Sequence, residues 1–199
     1  MKFPIVEIFT SIQGEGINLG KAANFVRFAG CNLTCPWCDT EWKKPTETLT
    51  REEIVARLDP NVKLVVLTGG EPLMQKELLW LVIALTDAGY RVAVETNGTY
   101  PTDALRKACN IHVACSPKPQ SNWSIHENCH FDELKYVVDD SITVDNIKRV
   151  PVPVWLQPEG GNMREAWKKA IQLQKEILSK SPHADVRIGV QLHKVMEVR

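Results

Sequence analysis

The strongest constraint on this chain is an alternation: short apolar runs give way to polar turns and then to stretches of helical period. Residues 62–67 are apolar apart from Lys63, the mark of a strand buried on both faces. Runs at 5–9, 24–28, 91–95, 111–114, 134–138, 152–156 and 186–190 also read as strands. Between them, Thr50 and Glu53 form a capping box opening a helix through Leu58. Residues 77–87 fit a helix stopped at Gly89. Residues 102–108, 141–148 and 163–178 read as further helices, the last being the longest. Repeated βα units imply a parallel sheet with right-handed crossovers. The repeats fall short of a complete (β/α)8 barrel. The expectation is therefore an α/β fold, a partial, open β/α barrel of about six parallel strands, in one domain over residues 1–199.

In such sheets the chemistry collects at the C-terminal strand ends. The least ordinary segments of the sequence fall there. A cysteine loop follows the second strand, and Thr68-Gly69-Gly70-Glu71-Pro72 follows the third. Glu95-Thr96-Asn97-Gly98 and Ser116-Pro117-Lys118 come next, and Gln157-Pro158-Glu159-Gly160 closes a later strand.

The cysteine loop places Cys31, Cys35 and Cys38 in a C-x3-C-x2-C spacing. A cubane cluster needs thiolates reaching separate corners of one compact object, which a tight loop supplies. Asn32, Thr34 and Pro36 disfavour a regular helix and suit such a loop. Ordinary [4Fe–4S] sites use four cysteines. No fourth lies nearby, which would leave one iron open, as catalytic metal sites keep a position open. The alternatives are a zinc site or three structural thiols. Structural zinc wants four ligands, and the first histidine is His112. The remaining cysteines, Cys109, Cys115 and Cys129, are scattered and read as structural thiols. Gly69-Gly70, taken alone, reads equally as a ligand-approaching strand end or as a plain βα turn.

The cysteine spacing with Trp37 before the last thiol resembles the radical S-adenosylmethionine superfamily. That resemblance implies a [4Fe–4S] cluster on Cys31, Cys35 and Cys38, with S-adenosylmethionine chelating the open iron and yielding a 5′-deoxyadenosyl radical. Gly70 then matches the glycine motif that holds the methionine amino group. Trp37, Asp39, Ser116, Pro117, Lys118, Gln157, Pro158, Glu159 and Gly160 resemble further cofactor contacts.

Glu7 to Gly16, Cys38-Asp39-Thr40-Glu41-Trp42 and Val190-Gln191-Leu192-His193-Lys194 narrow the resemblance to the 7-carboxy-7-deazaguanine synthases, across essentially the whole chain. The family converts 6-carboxy-5,6,7,8-tetrahydropterin to 7-carboxy-7-deazaguanine with loss of ammonia, a lyase step toward queuosine and other 7-deazapurines. It acts as a homodimer, requires Mg²⁺ and takes electrons from a flavodoxin or ferredoxin-type reductant. Substrate contacts implied here are Ile12, Gln13, Gly14, Arg27, Thr68 and the Arg199 carboxylate. Arg27 offers a bidentate fork to a substrate carboxylate, and Gln13 matches the amide-like edge of a pterin. Thr40 resembles the magnesium ligand, whereas residue chemistry alone favours Asp39. Glu15, Glu95 and His193 are candidates for proton handling, without a ranking. Two rival readings are an activating enzyme for a glycyl-radical protein and a non-catalytic metal-binding module.

Composition excludes other classes. Lys+Arg and Asp+Glu both number 24, so the formal net charge is zero. A nucleic-acid or anionic-membrane surface, which relies on a basic field, is not expected. The longest apolar run, 78–85, is far too short to span a bilayer, and the first residues lack a signal-peptide core. A cytoplasmic location is the expectation.

Overall fold

The structure is a computed structural model describing residues 2–38, 40–159 and 163–198. Its centre is one open sheet. The strands are β1 (Phe3–Ile12), β2 (Ala22–Phe28), β3 (Glu47–Leu49), β4 (Leu64–Gly69), β5 (Arg91–Thr96), β6 (His112–Cys115), β7 (Glu133–Val138), β8 (Val154–Pro158) and β9 (Val186–Ile188). The spatial order is β3-β1-β2-β4-β5-β6-β7-β8-β9. From β2 through β9 the neighbours run parallel, which makes seven parallel strands where about six were expected. β1 instead pairs antiparallel with both β2 and β3, adding a hairpin at one edge.

The helices are α1 (Arg51–Ala56), α2 (Leu78–Asp87), α3 (Asp103–Ala108), α4 (Met163–Lys180) and α5 (Leu192–Val195). The capping box of α1 is present: Glu53 N–H donates to Thr50 Oγ1 at 3.2 Å, and Thr50 N–H to Glu53 Oε2 at 2.7 Å. The helix expected over 141–148 is replaced by one 3-10 turn, Val144–Asn146. Asp139 Oδ1 accepts from the backbone N–H of Ser141 and Ile142, and Asn146 Oδ1 from that of Thr143. These side chains satisfy the backbone locally and compete with a helix.

Strand residues alternate between two environments, as period two requires. One set packs under the helices. Val26, Phe28, Val65, Leu67, Val92 and Val94 join α1, α2 and α3 in one core, while Leu134, Tyr136, Val138, Val154 and Leu156 pack with α4 in a second. The other set faces the concave side. There Ala23, Phe25, Leu64, Val66 and Ala93 form a small apolar floor beside the β1 edge. One step further toward the C-terminal strand ends, the same face turns polar at Arg27, Thr68, Glu95 and Ser116, with Lys135 and Gln157 across the sheet. Among the described residues no helix is long and apolar enough to cross a membrane.

Candidate active site

The cysteine loop leaves β2 and crosses the ends of the next strands. Its base is fixed by backbone bonds: Gly70 N–H donates to Phe28 O at 2.9 Å and Glu71 N–H to Gly30 O at 2.8 Å. The fit is close enough to require glycine. A Cβ on Gly70 would lie 1.9 Å from Gly30 O, and Gly69 adopts φ +117° with its missing Cβ against the Phe28 backbone. Further out, Asn97 Nδ2 donates to Asn32 Oδ1 at 2.9 Å, and Trp37 Nε1 donates to Asp139 Oδ2 at 3.0 Å beyond the end of β7. The loop is thus guyed to the ends of β4, β5 and β7.

Glu71 is the post beneath it. Fully buried, it accepts from Thr96 Oγ1 at 2.8 Å, Asn97 N–H at 2.7 Å and Leu73 N–H at 3.1 Å. Burial lifts its carboxyl to about 7 against these donors. Its side chain is committed to the scaffold.

All three loop cysteines are free; Cys31 and Cys35 are partly buried and Cys38 is exposed. Burial raises the Cys31 and Cys35 thiols, and neighbouring thiols of the same loop raise them further, with Lys118 opposing at Cys35. Thiols that oppose one another's ionisation gain from an electropositive iron core placed among them. Among the described residues no three Cys, His, Asp or Glu side chains form a single-ion site. A cubane differs in this respect, because each thiolate binds its own iron corner.

Beside this loop lies a cleft of about 260 Å³. Its lining brings together Ile12, Gln13, Gly14, Glu15, Arg27, Trp37, Thr40, Thr68, Glu95, Ser116, Lys118, Gln157, Pro158, Glu159 and His193, all singled out from sequence. Gly70, Pro117 and the three loop cysteines do not line it. Asp39, Gly160 and Arg199 lie outside the described residues.

The hairpin loop between β1 and β2 reaches under the concave face. Ile17 N–H donates to Glu133 Oε2 at 2.8 Å, and His112 Nε2 meets Glu133 Oε1 at 2.9 Å. The segment after β9 docks on the same loop: Leu192 N–H donates to Gly14 O at 3.0 Å, and the His193 ring fills the space a Gly14 side chain would take. Glu15 and Gln13 are thereby delivered to β5 and β7. Gln13 Nε2 donates to Glu95 Oε1 at 3.2 Å, and Thr68 Oγ1 donates to Glu95 Oε2 at 2.9 Å.

Sequence reasoning missed Lys135, which joins these carboxylates. Its Nζ lies 3.1 Å from Glu15 Oε2 and 2.9 Å from Glu95 Oε1. The signal was available, since a lysine interrupts the apolar strand 134–138 on the face shared by Val137. Glu7 and Gln191 were also missed. Arg27 Nε donates to Glu7 Oε1 at 2.9 Å and its Nη1 to Thr40 Oγ1 at 2.8 Å, so the expected fork is divided between two protein partners here.

At the other end of the cleft, Lys118 Nζ donates to Ser116 Oγ and stands 5.4 Å over the Trp37 ring. Burial, and then the Lys135 charge, lower its affinity for a proton. Gln157 is 3% exposed, and neither end of its amide finds a hydrogen-bond partner among the described residues. A buried, unpaired amide on a cleft wall costs free energy unless a ligand completes it. That unpaired amide on β8 and the three thiols of the cysteine loop fit a polar cofactor bound with a cluster.

Comparison with known proteins identifies the class. Residues 25–118 match the Radical SAM superfamily, whose members carry a 4Fe–4S cluster and S-adenosylmethionine, and the chain is an enzyme of that kind. It is 36% identical to the 7-carboxy-7-deazaguanine synthase of Aquifex aeolicus, over 97% of this chain and 93% of that protein. It is also 36% identical to the synthase of Bacteroides thetaiotaomicron, over 98% of each. The chain belongs to the 7-carboxy-7-deazaguanine synthase family. The crystal structure of QueE from Escherichia coli shares the fold, with a TM-score of 0.74, 24% identity and coverage of 97% and 95%. Streptococcus suis SuiB shares it more distantly, with a TM-score of 0.55 and 12% identity over 81% of this chain and 47% of that one.

Proposed function

We propose that this chain converts 6-carboxy-5,6,7,8-tetrahydropterin to 7-carboxy-7-deazaguanine with loss of ammonia, in the synthesis of 7-deazapurines such as queuosine. Family membership supports the reaction. The observation that carries it to these residues is the two-sided lining of the cleft: a guanidinium and hydroxyl at Arg27 and Thr40, and carboxylates at Glu15 and Glu95. A carboxylated heterocycle has an acceptor end and an N–H donor edge, and this lining can meet both.

Cys31, Cys35 and Cys38 would hold the cluster, with S-adenosylmethionine against Trp37, Gly70, Ser116, Pro117, Lys118, Gln157, Pro158 and Glu159. Asp39 and Gly160 remain proposed contacts, and Arg199 a proposed substrate contact, although they lie outside the described residues. Bound there, cluster and cofactor would together supply radical chemistry for hydrogen abstraction from the substrate. The chain's own residues do the rest. Arg27 turns from Thr40 to orient the substrate carboxylate. Ile12, Gln13, Gly14 and Thr68 frame the ring. Burial disfavours the Glu95 charge, but Lys135 and donors from Lys135, Thr68 and Gln13 hold its carboxyl down to about 2. At neutral pH Glu95 accepts and does not donate a proton. Glu15 likewise sits on the Lys135 ammonium, so proton delivery to the departing nitrogen falls to His193.

Thr40 would offer one oxygen to Mg²⁺, with substrate and water oxygens completing the shell. Its hydroxyl accepts from the Arg27 guanidinium, and turning Arg27 toward the substrate carboxylate would free that oxygen for the ion. We also propose one domain over residues 1–199, a homodimer, a flavodoxin or ferredoxin-type reductant and a cytoplasmic location. The single sheet running through the described residues supports the first, and family resemblance supports the others.

The test is an anaerobic assay of the reconstituted, reduced protein with S-adenosylmethionine, Mg²⁺ and 6-carboxytetrahydropterin. Mass spectrometry should find 7-carboxy-7-deazaguanine without stoichiometric 5′-deoxyadenosine. Cofactor cleavage with no such product would keep the radical class and overturn the substrate.

A further inference from the structure

Lys135 sits in mid-β7, its side chain only 7% exposed, beside strand neighbours Leu134 and Tyr136 that are wholly buried. A buried ammonium persists only where it is paired and hydrogen-bonded. Its partners come from distant parts of the chain: Glu15 from the β1–β2 loop and Glu95 from β5. Each carboxylate is held on another side by a neutral donor. Gln191 Nε2 donates to Glu15 Oε1 at 2.9 Å, while Thr68 and Gln13 donate to Glu95.

We propose that Lys135 is a positioning residue for the substrate: it fixes Glu15 and Glu95 as paired, acceptor-only carboxylates on one side of the cleft, and thereby selects a ligand edge built of N–H donors. The inference rests on the pterin reading given above.

The hydrogen-bond count carries the argument. An ionised carboxylate offers about four lone-pair positions. Glu95 receives Lys135, Gln13 and Thr68, and Glu15 receives Lys135 and Gln191. About three positions in all therefore remain for a ligand, most of them on Glu15. Two carboxylates against one ammonium leave this surface negative. The other charged groups acting on Lys135 are Glu133, which attracts it, and Lys118, which repels it. Burial opposes the Lys135 charge, but Glu95 and Glu15 raise its proton affinity well above the ordinary lysine value. The cation is thus permanent across the physiological range, and both acceptors are fixed by it. An amino-pyrimidinone edge supplies the N–H groups such a surface wants. An edge carrying lone pairs instead would face lone pairs.

The test is equilibrium binding of 6-carboxytetrahydropterin to the anaerobic holoenzyme without reductant, so that no turnover intervenes. Lys135→Met should weaken pterin binding roughly tenfold or more near neutral pH. The loss should deepen toward acidic pH, as the unpaired Glu95 takes up a proton. Lys135→Arg should restore most of the affinity, and S-adenosylmethionine binding should change less than about twofold in either variant. A folded Lys135→Met protein that binds pterin within about twofold of wild type at every pH overturns the inference. If that variant does not fold, the wild-type Glu95 carboxyl is followed by 13C NMR: it should stay ionised well below the ordinary glutamate range, and ordinary titration overturns the proposal. A wild-type protein that binds no pterin refutes the substrate reading, while the 13C titration still decides whether Lys135 fixes the charge.

Discussion

The cysteine loop and the carboxylate side of the cleft lie next to each other and are built in opposite ways. The carboxylates are already engaged: each oxygen there has at least one protein donor, and a buried cation joins them. The loop keeps its three thiols free, Cys31 and Cys35 partly buried and Cys38 exposed, and is held chiefly at its base and tips. One region is finished by folding, and the other is finished by its cofactor. On the site proposed above, substrate selectivity would belong to the carboxylate region, and loss of metal should leave it standing.

Three measurements probe that contrast, beginning with the largest effect. Replacing any one of Cys31, Cys35 or Cys38 with Ala should abolish cluster absorbance and turnover. It should move the urea midpoint of the cluster-free chain by no more than a surface substitution does, about 0.5 kcal/mol. Retained turnover would refute the cluster assignment, and a large loss of stability would mean the loop is finished before metal arrives. Next, Gly70→Ala drives a Cβ into Gly30 O. Overpacking of this kind costs about 1–3 kcal/mol, and iron uptake should fall because the base of the loop shifts. Wild-type stability with full iron uptake would remove Gly70 as the seat of the loop.

The smallest effect is a slope. Glu71 takes up its proton near 7 in the folded chain, against an ordinary 4.5. The folded state therefore binds more protons between those values, and stability falls as pH rises from about 4.5 to 7, levelling off above. Glu95 works the other way: with its carboxyl held at about 2, its contribution is complete above the ordinary value of 4.5 and fades as pH falls toward 2. Urea titration of cluster-free Glu71→Gln should lack the first slope and keep the second. Identical profiles for wild type and variant would show that Glu71 stays ionised in the fold.

Much of this was legible in the sequence, for a physical reason. Strands buried on both faces must be apolar, so residues 62–67 announced β4, and motifs at strand ends announced the site. Two short elements were not legible: β3, three residues held by pairing with β1, and α5, four residues docked on the β1–β2 loop, both fixed by contacts that no local pattern encodes. Residues 141–148 misled because Asp139 and Asn146, both favourable near helix starts, here close turns instead. Glu71 was read as part of a loop, since its burial depends on donors from β5 and the turn after it. Lys135 was passed over inside an apolar strand because its partners lie 120 and 40 residues away.

The docking of residues 191–193 onto the β1–β2 loop bears on how the protein is made. Gln191 and Glu15 stand 176 residues apart and meet in one hydrogen bond. All nine described strands are made before that contact can exist. The parallel strands and the cysteine loop precede that segment in the chain, yet the cleft has no closed wall until residue 191 has docked on the loop.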